Sequence, residues 1–381
     1  MSKLTHKNVL IIIIVLSLAV KLGLFCYAFF NVPSLKFMPD TPTYLEPGIN
    51  LIEKGAFGTY DENGVLHYEI NRTPGYPLFL AILNKTFNLS LDAIVVIQIF
   101  LITLAGYMVY KAAQEVDKNI APLAAFIFLF DQPTTLASLM LLSEALYTLF
   151  IAIFIYLFLR YLNERRLSLL LSLTVTIVAA TYIRPVSYYI GIFLAGGIVY
   201  ALYRPSLTRA LVHGLTLLLV FYSLLGVWHY RNFSATGNAD FTVIDNRDLN
   251  HMGFVHKYGR DDGLEGTGAG PVRYYADLVI ESIVQFFTLP GTFKYFKSET
   301  LRMASKIFGY PWVFFWIVGL FFARYGEVKG QALLLILLYF MLASIFVVGL
   351  CVGSRFRVPV MPLVSILSAA GWMKIYSFFK K

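Results

Sequence analysis

Residues 9–30 read VLIIIIVLSLAVKLGLFCYAFF; shortly after them come Pro39-Asp40-Thr41-Pro42-Thr43-Tyr44 and then Arg72-Thr73-Pro74-Gly75-Tyr76-Pro77. A run of this length and apolarity crosses the hydrocarbon core as one helix, which needs about 20 residues. Lys3 and Lys7 give it a basic start. It is too long for the apolar part of a signal peptide and has no small-residue cleavage site, so it reads as a retained anchor. The loop behind it sets a carboxylate and an arginine beside the membrane surface.

The rest of the 381 residues repeats the pattern. Hydrophobic residues make up 58% and charged residues only 14%, against about 25% charged in soluble domains. This predicts an all-α, polytopic transmembrane helical protein. Apolar runs near 9–30, 92–110, 120–138, 140–159, 167–183, 186–203, 208–230, 309–323, 330–350 and 356–376 predict about ten spans in a single transmembrane domain covering 1–381, without a separate soluble domain. An even number places both termini on one side. Lys111, Lys118, Arg160, Arg165, Arg166, Arg204, Arg209, Arg324, Lys329, Lys374, Lys380 and Lys381 all fall on the N-terminal side. The positive-inside rule makes that side cytoplasmic, in a bacterial or archaeal plasma membrane. The net charge of +9 is thereby spread over span boundaries, which excludes a nucleic-acid surface. Cys26 and Cys351 lack metal-ligand spacing and read as buried apolar cysteines.

Two long loops, 31–91 and 231–308, then face outward, and loops of that length tend to carry function. In the second, Arg273, Asp277, Glu281 and Gln285 recur every four residues among apolar neighbours, the stripe of a helix lying in the interface. The piece from Tyr44 to Lys54 is read the same way, with Pro47 and Gly48 near its start.

Chemistry-bearing residues gather at outer span ends. Asp40, restrained between prolines, is suited to accept a proton from a hydroxyl; the alternative is a solvated loop aspartate. Glu144 opens an apolar span, where an ionised group near the bilayer centre costs about 2.5–3.5 kcal/mol, so it needs a cavity or a partner. A helix-starting acid favoured by the macrodipole is its plainer reading. Arg184, before Pro185, and Arg355 and Arg357, in Gly353-Ser354-Arg355-Phe356-Arg357-Val358-Pro359, break the positive-inside pattern. Guanidiniums in tight outer turns match a phosphate, with snorkelling to lipid headgroups as the alternative. Arg72 and Arg231, the latter followed by Asn232, lie at the same surface. Among the outer histidines His67, His229, His251 and His256 none has the paired spacing of a zinc site, so a divalent metal is unsupported, and no phosphate-binding glycine loop or nucleophile elbow is present.

In these motifs the chain resembles the GT-C superfamily of membrane glycosyltransferases, in particular bacterial relatives of protein O-mannosyltransferases and of the lipid A aminoarabinose transferase. The matching stretches are Asp40 with Tyr44, Arg72-Thr73-Pro74-Gly75-Tyr76-Pro77-Leu78-Phe79-Leu80, Ser143-Glu144, Arg184-Pro185, Arg231-Asn232 and Arg355-Phe356-Arg357-Val358-Pro359-Val360-Met361-Pro362. Each is short, and their order along the chain carries the likeness. The resemblance implies a polyprenyl-phosphate sugar donor and inverting transfer to an acceptor hydroxyl on a glycan, lipid or protein at the extracytoplasmic face. It implies Asp40 as general base and Glu144 as a second acid. Tyr44, Tyr76, Arg72, Arg184, Arg231, Arg355 and Arg357 are then substrate-binding candidates. Many members carry a soluble domain after their last spans, which leaves the acceptor open here. A transporter or flippase of a lipid-linked or anionic solute is the rival reading, but it calls for polar or broken helices at the midplane, whereas the charges here gather at span ends.

Overall fold

The computed structural model describes residues 5–202, 206–243, 280, 283–284, 286–288, 299–323, 325–348 and 354–380. Helix α1 (His6–Asn31) starts under a Thr5 cap and runs the full quoted stretch. The first loop holds α2 (Thr41–Lys54), a hairpin of β1 (Gly58–Tyr60) and β2 (Leu66–Tyr68), and α3 (Gly75–Ala81). Then follow α4 (Leu91–Val116), α5 (Ala121–Leu129), α6 (Gln132–Ala137), α7 (Glu144–Glu164), α8 (Leu167–Ile183), α9 (Ile190–Leu202) and α10 (Leu207–Thr236). The described C-terminal part comprises α11 (Glu299–Phe321), α12 (Val328–Val348), a 3-10 turn (Ser354–Val360) and α13 (Met361–Phe379).

Among the described residues seven helices are long and apolar enough to cross a membrane: α1, α4, α7, α9 with the turn before it, α10, α11, and α13 with its 3-10 turn; α8 and α12 are shorter apolar helices. The apolar windows of α7 and α13 are 67% and 78% buried, against 22% for α1. The first two therefore form the centre of the bundle, and α1 turns most of its surface outward. Close crossing of α11 and α13 depends on glycine: a Cβ on Gly371 would lie 1.8 Å from the Gly319 carbonyl oxygen. Small residues at such crossings let helix backbones touch where no water drives association.

The expected span at 120–138 is not one helix. Nine residues of α5 reach about 14 Å, half a bilayer. The chain then breaks at Phe130–Asp131, where Asp131 Oδ2 accepts from the backbone N–H (3.1 Å) and hydroxyl (2.8 Å) of Thr134 and so starts α6. Apolarity alone hides such a break, because the one interrupting carboxylate takes its hydrogen bonds from Thr134 three residues on. Cys26 differs too: it is exposed on α1 rather than buried, because α1 turns its far face away from the bundle. Cys351, and the polar stripe of Arg273, Asp277, Glu281 and Gln285, lie outside the described residues.

The first loop is a packed cap. Helix α2 begins at Thr41, three residues before the expected start, and carries Pro47 within it. At Gly48 α3 approaches so closely that a Cβ there would sit 2.3 Å from the Pro77 carbonyl oxygen. The hairpin pairs Gly58 with Tyr68 and Tyr60 with Leu66. Its turn is fastened by Asp61, whose Oδ1 accepts from the N–H groups of Val65 (2.8 Å) and Asn63 (2.9 Å). The Val65 N–H, above all, holds the Asp61 carboxyl below the usual carboxylate range.

Candidate active site

Two acids and three arginines converge where α2, α7, the end of α8 and the 3-10 turn before α13 meet. Asp40 stands directly before α2 without capping it, so both carboxylate oxygens are free to turn outward. Oδ1 accepts from Arg72 Nη2 at 3.1 Å, and Oδ2 from Arg355 Nη2 at 2.9 Å. Glu144, the first residue of α7, is fully buried. Its Oε1 takes a short hydrogen bond from Arg355 Nε and lies 2.8 Å from Arg184 Nη1. Arg355 therefore bridges the two acids.

Burying Glu144 is sustained by these two cations, since an unpaired carboxylate would cost several kcal/mol at such a position. Its Oε2 has no partner. Three guanidiniums face two carboxylates, so the cluster keeps one positive charge in excess. Asp40 is one-third exposed and Arg355 29% exposed, whereas Arg184 is 16% exposed. The accessible side of the cluster is thus the Asp40–Arg355 edge. Behind Arg184, Tyr147, Phe340 and Phe356 enclose only about 20 Å³, room for about one water and not for a phosphate.

Aromatic residues fix the approach. The Arg72 guanidinium lies over the Tyr44 ring at 4.7 Å and donates to Thr43 Oγ1 at 3.1 Å. Tyr44 meets Tyr76 edge-on at 5.1 Å. Tyr76 is fully buried and donates to Gln98 Oε1 at 2.7 Å, while Gln98 Nε2 donates to the Met140 carbonyl at 2.6 Å. Burial pushes the Tyr76 phenol well above its ordinary range, so it stays a proton donor. Tyr76 therefore supports Tyr44 and Arg72 and contacts no open space.

Two expected ligands lie elsewhere. Arg231 donates to the carbonyls of Phe57 and Glu69, each at 2.7 Å, and stacks on Trp228, Phe57 and Tyr68. It staples the first loop to α10. Arg357 shares the 3-10 turn with Arg355 but points inward; it is fully buried, donates to the carbonyls of Phe286 (2.8 Å) and Phe287 (3.2 Å), and lies 3.8 Å from Asp131 Oδ1 and over Trp316. Residues two apart on such a turn cannot share a direction. His67 and His229 are likewise apart: His67 contacts Asp61, and His229 contacts Tyr188 and the Ala239 carbonyl. His251 and His256 lie outside the described residues. Among the described residues no three of His, Cys, Asp and Glu converge to hold a metal ion.

Lys21, Gln98 and Asp131 were not among the expected site residues, yet each is buried with polar partners. Lys21 is buried inside α1 and donates to Ser17 Oγ and the Leu129 carbonyl, near Asp131. The signal was present: a lone lysine inside an apolar run, and an aspartate after Phe126–Phe130, each require partners in the bundle.

Residues 71–230 match the model of the dolichyl-phosphate-mannose-protein mannosyltransferase family, which includes every site residue from Arg72 through Arg184. No curated protein matches the sequence significantly. Among solved structures, the oligosaccharyltransferase of Archaeoglobus fulgidus in the apo form superposes with TM-score 0.60 at 15% identity, over 99% of this chain and 51% of that one. The AglB structure from the same organism, with an inhibitory peptide and a dolichol-phosphate, gives 0.58 at 15% identity over 98% and 50%. ArnT of Cupriavidus metallidurans in the apo state gives 0.55 at 16% identity over 96% and 61%. The chain spans about half the length of the archaeal enzymes. Its helices thus share the fold of these solved membrane proteins, and residues 71–230 carry the match to the mannosyltransferase family.

Proposed function

We propose that this chain is an inverting glycosyltransferase that moves one sugar from a polyprenyl-phosphate donor to an acceptor hydroxyl at the extracytoplasmic face. The observation that carries this reading is the meeting of Asp40 and Glu144 under three arginines with one positive charge in excess, open to the surface on the Asp40 side. An anionic donor phosphate matches that excess charge. The family match and the GT-C fold support the same reaction class.

In this reading the acceptor oxygen attacks the anomeric carbon while Asp40 takes the hydroxyl proton. The bond from that carbon to the phosphate oxygen breaks, and its electron pair leaves with the polyprenyl phosphate. Arg355 and Arg72 flank Asp40 and are placed to balance negative charge as it moves from the carboxylate to the leaving phosphate, the electrostatic contribution that usually dominates such catalysis. Glu144, fully buried, holds Arg184 and Arg355 in place. Loops 31–91 and 231–308 would then face outward and both termini the cytoplasm, as the basic short loops indicate.

The test is transfer of radiolabelled sugar from polyprenyl-phosphate donors in membranes supplied with candidate acceptors. Label should reach a new product with the parent protein and not with Asp40→Asn at matched expression and folding. Equal transfer by Asp40→Asn would remove Asp40 as base, and silence with every donor would favour solute transport.

A further inference from the structure

Helix α7 carries Glu144 at one end and Arg165 at the other, about 30 Å apart at the rise of an α-helix, the thickness of the hydrocarbon core. At the Arg165 end two adjoining cavities, about 210 and 280 Å³, open between α7, α9 and α12. The first is walled by apolar side chains, among them Phe158, Ile190, Phe193, Leu335 and Ile336. The second shares Leu162, Tyr200, Ala201 and Val328 with it and adds Arg165 and Lys329 at its mouth. The groove is therefore apolar along its length and cationic at one end, the end remote from Asp40.

Among the described residues neither Arg165 nor Lys329 forms an ion pair, and the Glu115 carboxylate accepts from Asn163 at 2.8 Å. Glu164 is taken by Arg160 at 2.7 Å and Arg166 at 3.2 Å. Glu327 lines a different cleft, against Asp117 and Ile120. Lys329 gives one N–H to the Glu115 carbonyl and keeps its charge. Basic pockets between transmembrane helices on the cytoplasmic side bind anionic headgroups.

We propose that this groove holds an anionic phospholipid of the leaflet opposite the carboxylate cluster, its phosphate at Arg165 and Lys329 and an acyl chain along α9 and α12. The site is independent of the glycosyl-transfer reading, since none of its residues touches the acids. It would brace α9 against α12, two helices whose apolar faces leave this space unfilled.

The experiment uses the full chain in lipid nanodiscs with a Tyr200→Trp reporter, the parent protein giving the background of its four native tryptophans. Brominated phosphatidylglycerol and brominated phosphatidylcholine are the quenchers. Phosphatidylglycerol should quench the reporter with a several-fold preference at equal mole fraction. The preference should fall to parity in Arg165→Asn/Lys329→Gln; asparagine tolerates the left-handed backbone of Arg165, φ 54°, and glutamine still donates to Glu115. Gly197→Leu should abolish reporter quenching by both lipids, because a Cβ at Gly197 meets nothing within 4 Å and so opens into the groove without displacing a neighbour. Equal quenching by the two lipids, or a preference that survives loss of both cations, overturns the proposal.

Discussion

Asp40 and Arg355 stand 315 positions apart in the chain and meet at 2.9 Å through Oδ2 and Nη2. That contact closes the first loop onto the last described turn, and through Arg355 Nε it extends to Glu144. The two acids are consequently unequal: Glu144 is buried and bears structure, and Asp40 is partly open.

The inequality makes the first prediction. Glu144→Gln strips a buried partner from Arg184 and Arg355, a change that costs about 3–5 kcal/mol where both groups are desolvated; the partial exposure of Arg355 places the loss near the lower figure. Asp40→Asn removes a one-third exposed carboxylate, which moves stability by about 1 kcal/mol or less. Thermal unfolding of the two variants in the same detergent checks this. In the transfer assay Asp40→Asn should lose about 10²–10⁴-fold while remaining folded.

Arg231 gives the second prediction. Its guanidinium is committed to Phe57 and Glu69, so Arg231→Ala should free the hairpin rather than weaken phosphate binding. Hydrogen bonds to a charged group are worth about 1.5–3 kcal/mol. Hydrogen exchange across residues 57–69 should accelerate while exchange in α13 stays at the parent rate. Faster exchange throughout the chain would show that Arg231 holds more than the loop.

The helical membrane class, the first apolar helix and the presence of Asp40 and Arg72 in one loop behind it were legible because apolar length and span-end charge are properties of local sequence. What joins Arg355 to Glu144 is not local. Arg355 and Arg357 carry the same side chain two positions apart, and only the packed turn sends one to the acids and the other under α6. Arg231 misled for a related reason: carbonyls of a distant loop leave no mark in the sequence near it. Lys21 and Asp131 were legible as anomalies, since a charge inside an apolar run must find a partner, but which partner depends on the break between α5 and α6.

Gly75 and Gly48 give the third prediction. A Cβ at Gly75 would lie 2.7 Å from the Tyr182 carbonyl oxygen, so Gly75→Ala must part α3 from the end of α8, two residues before Arg184. Gly48→Ala must likewise part α2 from α3 at the Pro77 carbonyl. Backbone lies on the other side of both contacts, so neither relaxes by a side-chain rotation, and each should cost about 1–3 kcal/mol as overpacking does. Gly64→Ala, at φ 78° in the open hairpin turn, should be strained without displacing a helix. Thermal unfolding of the three, with exchange in α3 as a local readout, separates helix displacement from loop strain.

The last prediction concerns Tyr76 and Gln98, which bind the cap of the first loop to the segment leading into Glu144. Tyr76→Phe leaves Gln98 Oε1 buried and unpaired, a cost of about 1–3 kcal/mol. Gln98→Leu strands both the Tyr76 hydroxyl and the Met140 carbonyl and should cost more. The double variant removes both members of the Tyr76–Gln98 bond and should fall short of the sum by about 0.5–3 kcal/mol, the coupling of directly bonded groups. Additive losses would mean that the pair does not act as a unit. The pH dependence has a definite sign. Burial raises the folded Tyr76 pKa above its ordinary value near 10, so the folded state binds the proton more tightly than the unfolded chain does. The parent's advantage over Tyr76→Phe should then be constant below about pH 10 and shrink as pH rises further, because unfolding releases a phenol that ionises. A gap that stays constant above that pH would mean that the Tyr76 phenol titrates as in the unfolded chain, and one that widens that the folded protein stabilises its phenolate.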